Sequence, residues 1–355
     1  MQKLINTFLE LVAIDEVHPN ENKVLEYIKN RLTAAGVPFT QDKIGNIVGR
    51  IKGANDEALA MCGHVDIAAP LNGREIIVTE EVIKTDGKSL LGGDDKTAVA
   101  VMLELADYIH TENITPPRTL ELVFTVGEEA GLIGAINFDM TMLTARQILV
   151  FDWLGTPAEI IRRSPAMYKI DVEYIGKDAH PAEWQKGKNA GAALMKAASQ
   201  LQQGEYMPGV TFNIGRMEFG DARNKVPGFA LLKAETRSYD QSKVDQATQE
   251  IMQHFERFTA DTGIAAKVTR DNGTPSYQLD ESSQLLKEVK EHLTAQGLTP
   301  RIVETYGGFD ANVFASRGID AIILGAGYYN PHSPEEYVDI TEFTQLFELV
   351  KSFVR

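Results

Sequence analysis

Two histidines and several carboxylates, carried on five short motifs, are the residues of this sequence best suited to chemistry. The motifs are Cys62-Gly63-His64-Val65-Asp66, Gly92-Gly93-Asp94-Asp95-Lys96, Gly127-Glu128-Glu129, Phe151-Asp152 and Pro331-His332-Ser333. Imidazole nitrogens and carboxylate oxygens are common ligands of zinc and similar ions. Together these side chains could hold two metal ions for hydrolytic chemistry and leave one carboxylate to act as a base.

His64 and Asp66 lie two residues apart, directly after an apolar run that predicts a β-strand. Residues at this spacing in an extended segment project from the same face. His64 could therefore bind a metal while Asp66 holds the imidazole in one orientation, as carboxylates beside metal ligands commonly do. The alternative is a chance pair in which His64 is hydrogen-bonded to a loop.

Asp94 follows two glycines and precedes a segment whose pattern predicts a helix from Thr97 onward. Glycine permits a tight loop there, and the two oxygens of one carboxylate can bridge cations about 3.5 to 4 Å apart. The alternative is that Asp94 or Asp95 is simply the N-cap of this helix.

Glu128 and Glu129 follow a second apolar run, at 120–126. Adjacent carboxylates repel one another, which raises at least one pKa unless a cation is near. One of the pair could bind metal while the other takes a proton from water, and a solvated turn is the alternative. His332 stands in a proline-flanked turn after a further apolar strand, from which it could reach the same edge of a sheet.

Composition bounds the class of protein. The chain has 355 residues, 43% of them hydrophobic, which suffices for a sizeable core and is a soft prior for two domains. A formal net charge of -15 repels phosphate backbones and anionic lipids, so neither nucleic acid nor membrane is an expected partner. Cys62 is the only cysteine, and the residues from Met1 onward have the spacing of an amphipathic helix and not of a signal peptide. We expect a soluble protein of the cytoplasm.

Short β-branched runs alternate with helical patterns in the first part of the chain, which predicts an α/β fold with a mixed sheet. The predicted strands are 58–62, 120–126 and 148–151, with a helix at 97–109. The motifs follow the C-terminal ends of these strands, where open α/β sheets place their ligand sites.

A different pattern begins near residue 165. The predicted order is strand, helix, strand, strand, helix, strand, at 168–175, 189–201, 211–218, 229–237, 243–258 and 265–269. This βαββαβ order is typical of ferredoxin-like domains. We therefore predict a discontinuous catalytic domain over residues 1–164 and 276–355, with an inserted lid domain over residues 165–275.

The five motifs, taken in order, resemble the co-catalytic di-zinc metallopeptidase family of peptidase T, carboxypeptidase G and succinyl-diaminopimelate desuccinylase. The resemblance implies two Zn²⁺ per chain, with Co²⁺ or Mn²⁺ as alternatives. It assigns His64 and Asp152 to one ion, Glu129 and His332 to the other, and Asp94 to both. It also implies that Asp66 orients His64, that Glu128 is the general base, and that the peptide bond after Asp94 is cis.

The predicted insertion carries further matches to the family. His180 resembles the histidine that steadies the scissile carbonyl, often from the partner subunit of a dimer, while Asn224 and Arg237 resemble the polar pair that grips the substrate. The Gly307-Gly308 loop is similar to that of peptidase T. A plain turn at His180 and a surface charge at Arg237 are the alternatives. The resemblance implies a homodimer formed through the insertion.

Asp152 bears on the substrate, because aspartate at this position resembles aminopeptidases and dipeptidases. We therefore expect an exopeptidase similar to peptidase T, an aminopeptidase acting on small peptides of two or three residues. The pairs Trp153-Leu154 and Tyr328-Tyr329 depart from the peptidase T pattern. An N-acyl-amino-acid deacylase or a carboxypeptidase with the same site stays open, as does a non-catalytic binding protein on this fold.

Overall fold

The chain forms two compact units. The structure is a computed structural model and describes residues 1–71, 73–260 and 262–355. The first unit comprises Met1–Arg162, Gln278–Glu304 and Phe309–Arg355, and the second comprises Arg163–Tyr277 and Thr305–Gly308. All five motifs with metal-ligand side chains lie in the first unit.

Helices and strands alternate along the described residues. The α-helices are α1 (Gln2–Val12), α2 (Asn22–Ala34), α3 (Gly93–Thr111), α4 (Ile133–Ile136), α5 (Ala190–Ala198), α6 (Gln241–Phe258), α7 (Gln284–Ala295), α8 (Asp310–Ser316) and α9 (Ile340–Ser352). Short 3₁₀-helices span Met140–Met142 and Pro181–Lys186. Within the described ranges, no helix combines the length and the apolar character needed to cross a bilayer.

The strands of the described residues form three sheets. Their bounds are β1 (Phe39–Gln41), β2 (Ile47–Ile51), β3 (Ala58–His64), β4 (Ile76–Val78), β5 (Val82–Thr85), β6 (Thr119–Thr125), β7 (Gln147–Trp153), β8 (Glu159–Ser164), β9 (Ala166–Ile175), β10 (Gly204–Met207), β11 (Val210–Phe219), β12 (Phe229–Ser238), β13 (Ala265–Arg270), β14 (Tyr277–Gln278), β15 (Arg301–Glu304), β16 (Asp320–Gly325), β17 (Tyr328–Tyr329) and β18 (Tyr337–Asp339).

One large mixed sheet carries the motifs of the first unit. Its strand order is β1-β2-β6-β3-β7-β16-β8-β14, with β15 paired to β8. The neighbours β6, β3, β7 and β16 are parallel, whereas β2 is antiparallel to both β1 and β6. The central strands are buried along nearly their whole length because helices cover parallel sheets on both faces. The predicted α/β fold with a mixed sheet is confirmed.

The C-terminal ends of the parallel strands bring three motifs to one edge of this sheet. His64 is the last residue of β3, Asp152 lies one residue before the end of β7, and Glu128 follows the end of β6 by three residues. The fold therefore gathers side chains that are far apart in the sequence, as ligand sites of open α/β sheets require.

Helix α3 approaches β3 very closely at Gly63. A Cβ atom at Gly63 would lie 2.6 Å from the Cβ of Ala98, which is closer than real side chains approach. Asp94 and Asp95 have non-helical dihedrals, so the regular part of α3 begins at Lys96, one residue before the predicted start. The peptide bond between Asp94 and Asp95 is cis.

The second unit contains a five-stranded antiparallel sheet in the order β10-β11-β12-β9-β13. Helices α5 and α6 pack on one face, around a core that includes Tyr174, Phe212 and Phe255. Without β10, the order of strands and helices is the ferredoxin-like order that the sequence predicts. Strand β10 is an additional edge strand that forms a hairpin with β11.

A short segment far along the chain, Thr305–Gly308, groups with the second unit. Arg237 donates to the carbonyl oxygen of Tyr306 at 2.5 Å, and the Tyr239 hydroxyl donates to that of Thr305 at 2.9 Å. The predicted boundaries assign this segment to the catalytic domain, because hydrogen bonds between distant segments leave no local pattern in the sequence.

Candidate metal centre

Asp94 lies between two histidines from opposite ends of the chain. Its Oδ1 is 3.1 Å from Nε2 of His64, and its Oδ2 is 3.4 Å from Nε2 of His332. Asp94 and His64 are buried, whereas the His332 side chain is 54% exposed. Because each oxygen of one carboxylate faces a different imidazole, Asp94 is placed as a carboxylate that bridges two cations would be.

Two further carboxylates complete a group around each histidine. Asp152 Oδ1 is 3.7 Å from Nε2 of His64, and Glu129 Oε1 is 2.7 Å from Nε2 of His332. Among the described residues, ligand atoms lie within 4.8 Å of one another in the groups His64-Asp94-Asp152, Asp94-Glu129-His332 and His64-Glu128-Glu129. The first two groups contain the residues that the family resemblance assigned to the two ions, and they share Asp94.

The spacing of these ligand atoms fits a metal ion. Zinc holds nitrogen and oxygen ligands at about 2.0 to 2.2 Å in a tetrahedron, so neighbouring ligand atoms lie about 3.3 to 3.6 Å apart. The four separations between histidine nitrogen and carboxylate oxygen run from 2.7 to 3.7 Å. Imidazole suits zinc and carboxylate suits manganese, so this mixed donor set fits the metals named by the resemblance.

Negative charge is crowded at the site. Burial raises the pKa of Asp152 well above its usual range, and the Asp94 carboxylate adds to the rise. Against the effect of burial, hydrogen bonds from His332 and His64 hold the pKa of Asp94 below its usual range. Hydrogen bonds to Asp94 and Glu129 raise the pKa of His332 to about 10. The group therefore requires positive charge, which protons or metal ions can supply in competition.

Asp66 connects His64 to both glutamates. Its Oδ1 lies 3.4 Å from Nδ1 of His64. The same carboxylate accepts the backbone N–H groups of Glu128 at 3.0 Å and of Glu129 at 3.1 Å. The spacing of His64 and Asp66 predicts the contact between them, whereas no sequence pattern predicts the contacts of Asp66 with the glutamate backbone. One buried carboxylate thus fixes an imidazole and the start of the loop that carries the two acids.

Glu128 is not part of either group that contains Asp94. Burial raises the pKa of Glu128 well above its usual range, and the Asp152 carboxylate raises it further. A higher pKa makes a carboxylate a stronger proton acceptor. Its carboxylate belongs to the third group, with His64 and Glu129, whose ligand atoms could also hold a metal ion.

Asp95 and Lys96 are buried and bind the backbone around them. The Asp95 carboxylate accepts the N–H of His64 at 3.3 Å and the N–H of Ala98. The bond to Ala98, three residues further on, is that of a helix cap, as the alternative interpretation of Asp95 proposed. Lys96 donates from Nζ to the carbonyl oxygen of Val65, and burial lowers the pKa of Lys96 to about 8. These two side chains hold β3 against the start of α3.

Two buried residues that sequence reasoning gave no role lie beside the site. The Tyr328 hydroxyl donates to Oδ1 of Asp152 at 3.3 Å. Asp310 accepts a hydrogen bond from the Thr125 hydroxyl at 2.5 Å, and burial raises the pKa of Asp310 to about 6. Both residues follow glycine-containing segments near the ends of strands. That position is the sequence feature that could have indicated a place beside the site.

In the second unit the structure brings the segments of His180 and Asn224 together. Val226 donates its N–H to the carbonyl oxygen of Ala179 at 2.8 Å. Ala179 directly precedes His180, and Val226 follows Asn224 by two residues. His180 and Asn224 are exposed. Nδ1 of His180 accepts the N–H of Ala182 at 3.2 Å, so a neutral imidazole here carries its proton on Nε2.

Arg237 and the segment of Gly307 and Gly308 also lie close together. Nη1 of Arg237 donates to the carbonyl oxygen of Tyr306, directly before the glycines. Nε and Nη2 of Arg237 bind the Glu235 carboxylate at 2.9 and 3.1 Å. Arg237 therefore already has an anionic partner on its own strand, as the surface-charge alternative would have it.

Comparisons with known proteins agree on one family. The model of peptidase family M20/M25/M40 matches residues 84–355. The uncharacterized protein YqjE of Bacillus subtilis (strain 168) is 32% identical over 363 residues, covering 99% of this chain and 98% of that protein. A tripeptidase from Staphylococcus aureus subsp. aureus mu50 has a TM-score of 0.88 and 29% identity, covering 99% of this chain and 97% of that one. Aminopeptidase PepT from Bacillus cereus ATCC 10987 has a TM-score of 0.83 and 29% identity, with the same coverage of 99% and 97%.

These findings confirm the resemblance inferred from the motifs. The family match covers well over half of the chain and includes Asp94, Glu128, Glu129, Asp152 and His332. His64 lies before the matched residues, and the structure brings it to the same group. The chain therefore belongs to the peptidase family M20/M25/M40.

Proposed function

We propose that this chain is a metal-dependent exopeptidase acting on small peptides, an aminopeptidase of the peptidase T type. The observation that carries the proposal is the Asp94 carboxylate, whose two oxygens face His64 and His332 at 3.1 and 3.4 Å. The similarity to a tripeptidase and to an aminopeptidase, each across 99% of this chain, supports small peptides as substrates. The aspartate at position 152 supports the aminopeptidase class.

Two divalent ions belong to this proposal. His64 and Asp152 would hold one ion, Glu129 and His332 the other, and Asp94 both. Zinc is the proposed metal, with cobalt and manganese as alternatives that the same donors accept. When bound, such ions polarise a carbonyl oxygen and lower the pKa of water.

Glu128 is the proposed general base. Its carboxylate would take a proton from the attacking water and pass it to the leaving amine, so that proton and charge balance over the reaction. Asp66 would hold Glu128 in place, because its carboxylate accepts the backbone N–H of Glu128 at 3.0 Å.

The second unit is the proposed source of substrate contacts. His180 would donate from Nε2 to the scissile carbonyl oxygen, which the bond accepted by its Nδ1 favours. Asn224, Arg237 and the Gly307-Gly308 segment would bind the remainder of the peptide, with a substrate carboxylate displacing Glu235 from Arg237. A lid that carries such groups excludes water when it closes.

A homodimer through the second unit is also proposed. Of the ten exposed large hydrophobic side chains in the described residues, six lie in this unit, which holds about a third of the chain. The six are Ile175, Trp184, Met195, Phe219, Phe229 and Tyr306. The single cysteine, Cys62, is buried, which is compatible with the cytoplasm as the proposed compartment.

Two measurements test the proposed function. Elemental analysis of metal-replete protein should find close to two divalent ions per chain. Hydrolysis should then be compared for one tripeptide with a free amino group and for the same tripeptide with an N-acetyl group. We expect cleavage of the free peptide at its first bond and little cleavage of the blocked one. Preference for the blocked peptide would favour a deacylase or carboxypeptidase, and two ions without any hydrolysis would favour a binding protein.

A further inference from the structure

A single buried carboxylate, that of Glu336, accepts hydrogen bonds from four consecutive backbone N–H groups. Its Oε2 accepts from Leu91 and Gly92, both at 2.8 Å. Its Oε1 accepts from Gly93 at 2.7 Å and from Asp94 at 3.0 Å. Glu336 is 1% exposed. One side chain therefore determines the course of the backbone that leads into Asp94.

The loop before Asp94 is built to receive an anion. Successive backbone N–H groups that point to one side form a concave anion site, and Gly92 supplies the positive φ of 75° that this shape needs. A Cβ atom at Gly93 would lie 3.2 Å from Oε1 of Glu336 and 3.0 Å from Cγ2 of Val338. Gly92 and Gly93 therefore allow the loop to bind the Glu336 carboxylate, an anion that belongs to the same chain.

Glu336 also belongs to the turn that carries His332. Its N–H donates to the carbonyl oxygen of Ser333 at 3.1 Å and closes the turn. His332 has a φ of 61°, in the left-handed region that residues other than glycine seldom adopt. Because Glu336 joins this turn to the Asp94 loop, it fixes the position of His332 relative to Asp94. Nε2 of His332 and Oδ2 of Asp94 are 3.4 Å apart.

We infer that Glu336 is a positioning residue for the metal centre, acting through the backbone of Asp94 and the turn of His332. Its side chain reaches Asp94 through the backbone N–H of that residue and not through its carboxylate. The inference rests on the proposed function, in which Asp94 binds both ions. If Asp94 is displaced, both ions should bind more weakly.

The test is Glu336→Gln. An amide keeps the size of the side chain but has one oxygen, and its NH₂ group faces two backbone N–H donors. Titration with Co²⁺, followed by visible absorption, measures affinity and ligand geometry without reference to activity. We expect affinity to fall by about 10- to 100-fold, as for other residues that orient metal ligands, together with a changed Co²⁺ spectrum.

Glu121→Gln is the matched control. Glu121 is also fully buried, and it accepts the N–H groups of Thr144 and Ala145 and pairs with Arg50 at 2.7 Å. None of these contacts belongs to the metal centre. This variant should melt at a lower temperature while keeping the wild-type Co²⁺ affinity and spectrum, which separates positioning from general stability.

The outcomes are distinct. Folded Glu336→Gln with wild-type Co²⁺ affinity and spectrum would overturn the positioning role alone. Wild-type protein that binds no Co²⁺ would overturn the proposed function and this role with it. If Glu336→Gln does not fold, the same titration on Glu336→Asp decides, because the shorter acid keeps both oxygens but draws them back from the loop. Weaker binding by Glu336→Asp supports the role, and unchanged binding refutes it.

Discussion

The candidate residues of the two units are held in different ways. In the first unit His64, Asp66 and Asp152 are buried and face other polar side chains. In the second unit His180 and Asn224 are exposed. A buried polar group must find its partners within the fold, whereas an exposed group is satisfied by water. Folding therefore fixes the partners of His64, Asp66 and Asp152, whereas we propose that His180 and Asn224 acquire partners when a substrate binds.

Asp94→Ala is the most severe test of the first unit, because it removes the carboxylate that lies between the two histidines. If the candidate metal centre is built around Asp94 as a shared ligand, loss of the Asp94 carboxylate should reduce bound metal from about two ions per chain to none. Activity should then fall to background. Elemental analysis and peptide hydrolysis measure the two effects, and retention of one tightly bound ion would show that Asp94 serves only one site.

Glu128→Gln should separate metal binding from chemistry within the candidate metal centre. The amide keeps the shape of the side chain but cannot accept the proton, so turnover should fall by about 10²- to 10⁴-fold with metal content unchanged. Glu129→Gln is the companion variant and should lose metal. The assignment of the pair is reversed if Glu128→Gln is the variant that loses metal.

His180→Ala tests the exposed side of the comparison. It should lower kcat by about 10²- to 10³-fold, as for loss of one oxyanion donor, and leave metal content and thermal stability unchanged. Mixing these chains with Glu128→Gln chains should restore part of the activity if His180 acts across a dimer. Verified mixed dimers without recovery would contradict that role, and a fully active monomer would exclude the dimer.

Tyr328→Phe should have the smallest effect. It removes one hydrogen bond to Asp152, of 3.3 Å, and leaves the ring in its buried place. The net value of a hydrogen bond to a carboxylate, about 1.5 to 3 kcal/mol, corresponds to a loss of about 10- to 150-fold in Co²⁺ affinity. A larger loss would show that this hydroxyl has a more direct part in the centre, and Tyr329→Phe on the neighbouring residue is the control.

The sequence predicts the features of the fold that depend on the local pattern of apolar and polar residues. Apolar runs locate β3, β6 and β7, and because parallel strands end at one edge, the meeting of His64, Glu128 and Asp152 follows from pattern alone. The ferredoxin-like order of the second unit was equally accessible. These features depend on the spacing of apolar residues, which can be read from one sequence.

The sequence does not reveal contacts that join distant segments through the backbone. Glu336 binds N–H groups more than 240 positions earlier in the chain, and nothing around it distinguishes it from the exposed Glu335. The bonds of Asp66 to the glutamate backbone and of Lys96 to Val65 are of the same kind. Any acid or lysine could make such bonds, so residue type carries no signal for them, and only the folded chain does.

The contact between Gly63 and α3 sets the distance between β3, which carries His64, and the start of α3, which carries Asp94. A methyl group at this position would come within 2.6 Å of Ala98 and 2.8 Å of the Asp95 carboxylate, so the start of α3 would have to move away from β3. That movement would carry Asp94 away from His64 without altering any ligand. The distance between these two candidate metal ligands therefore depends on the packing of β3 against α3 as well as on the residues themselves.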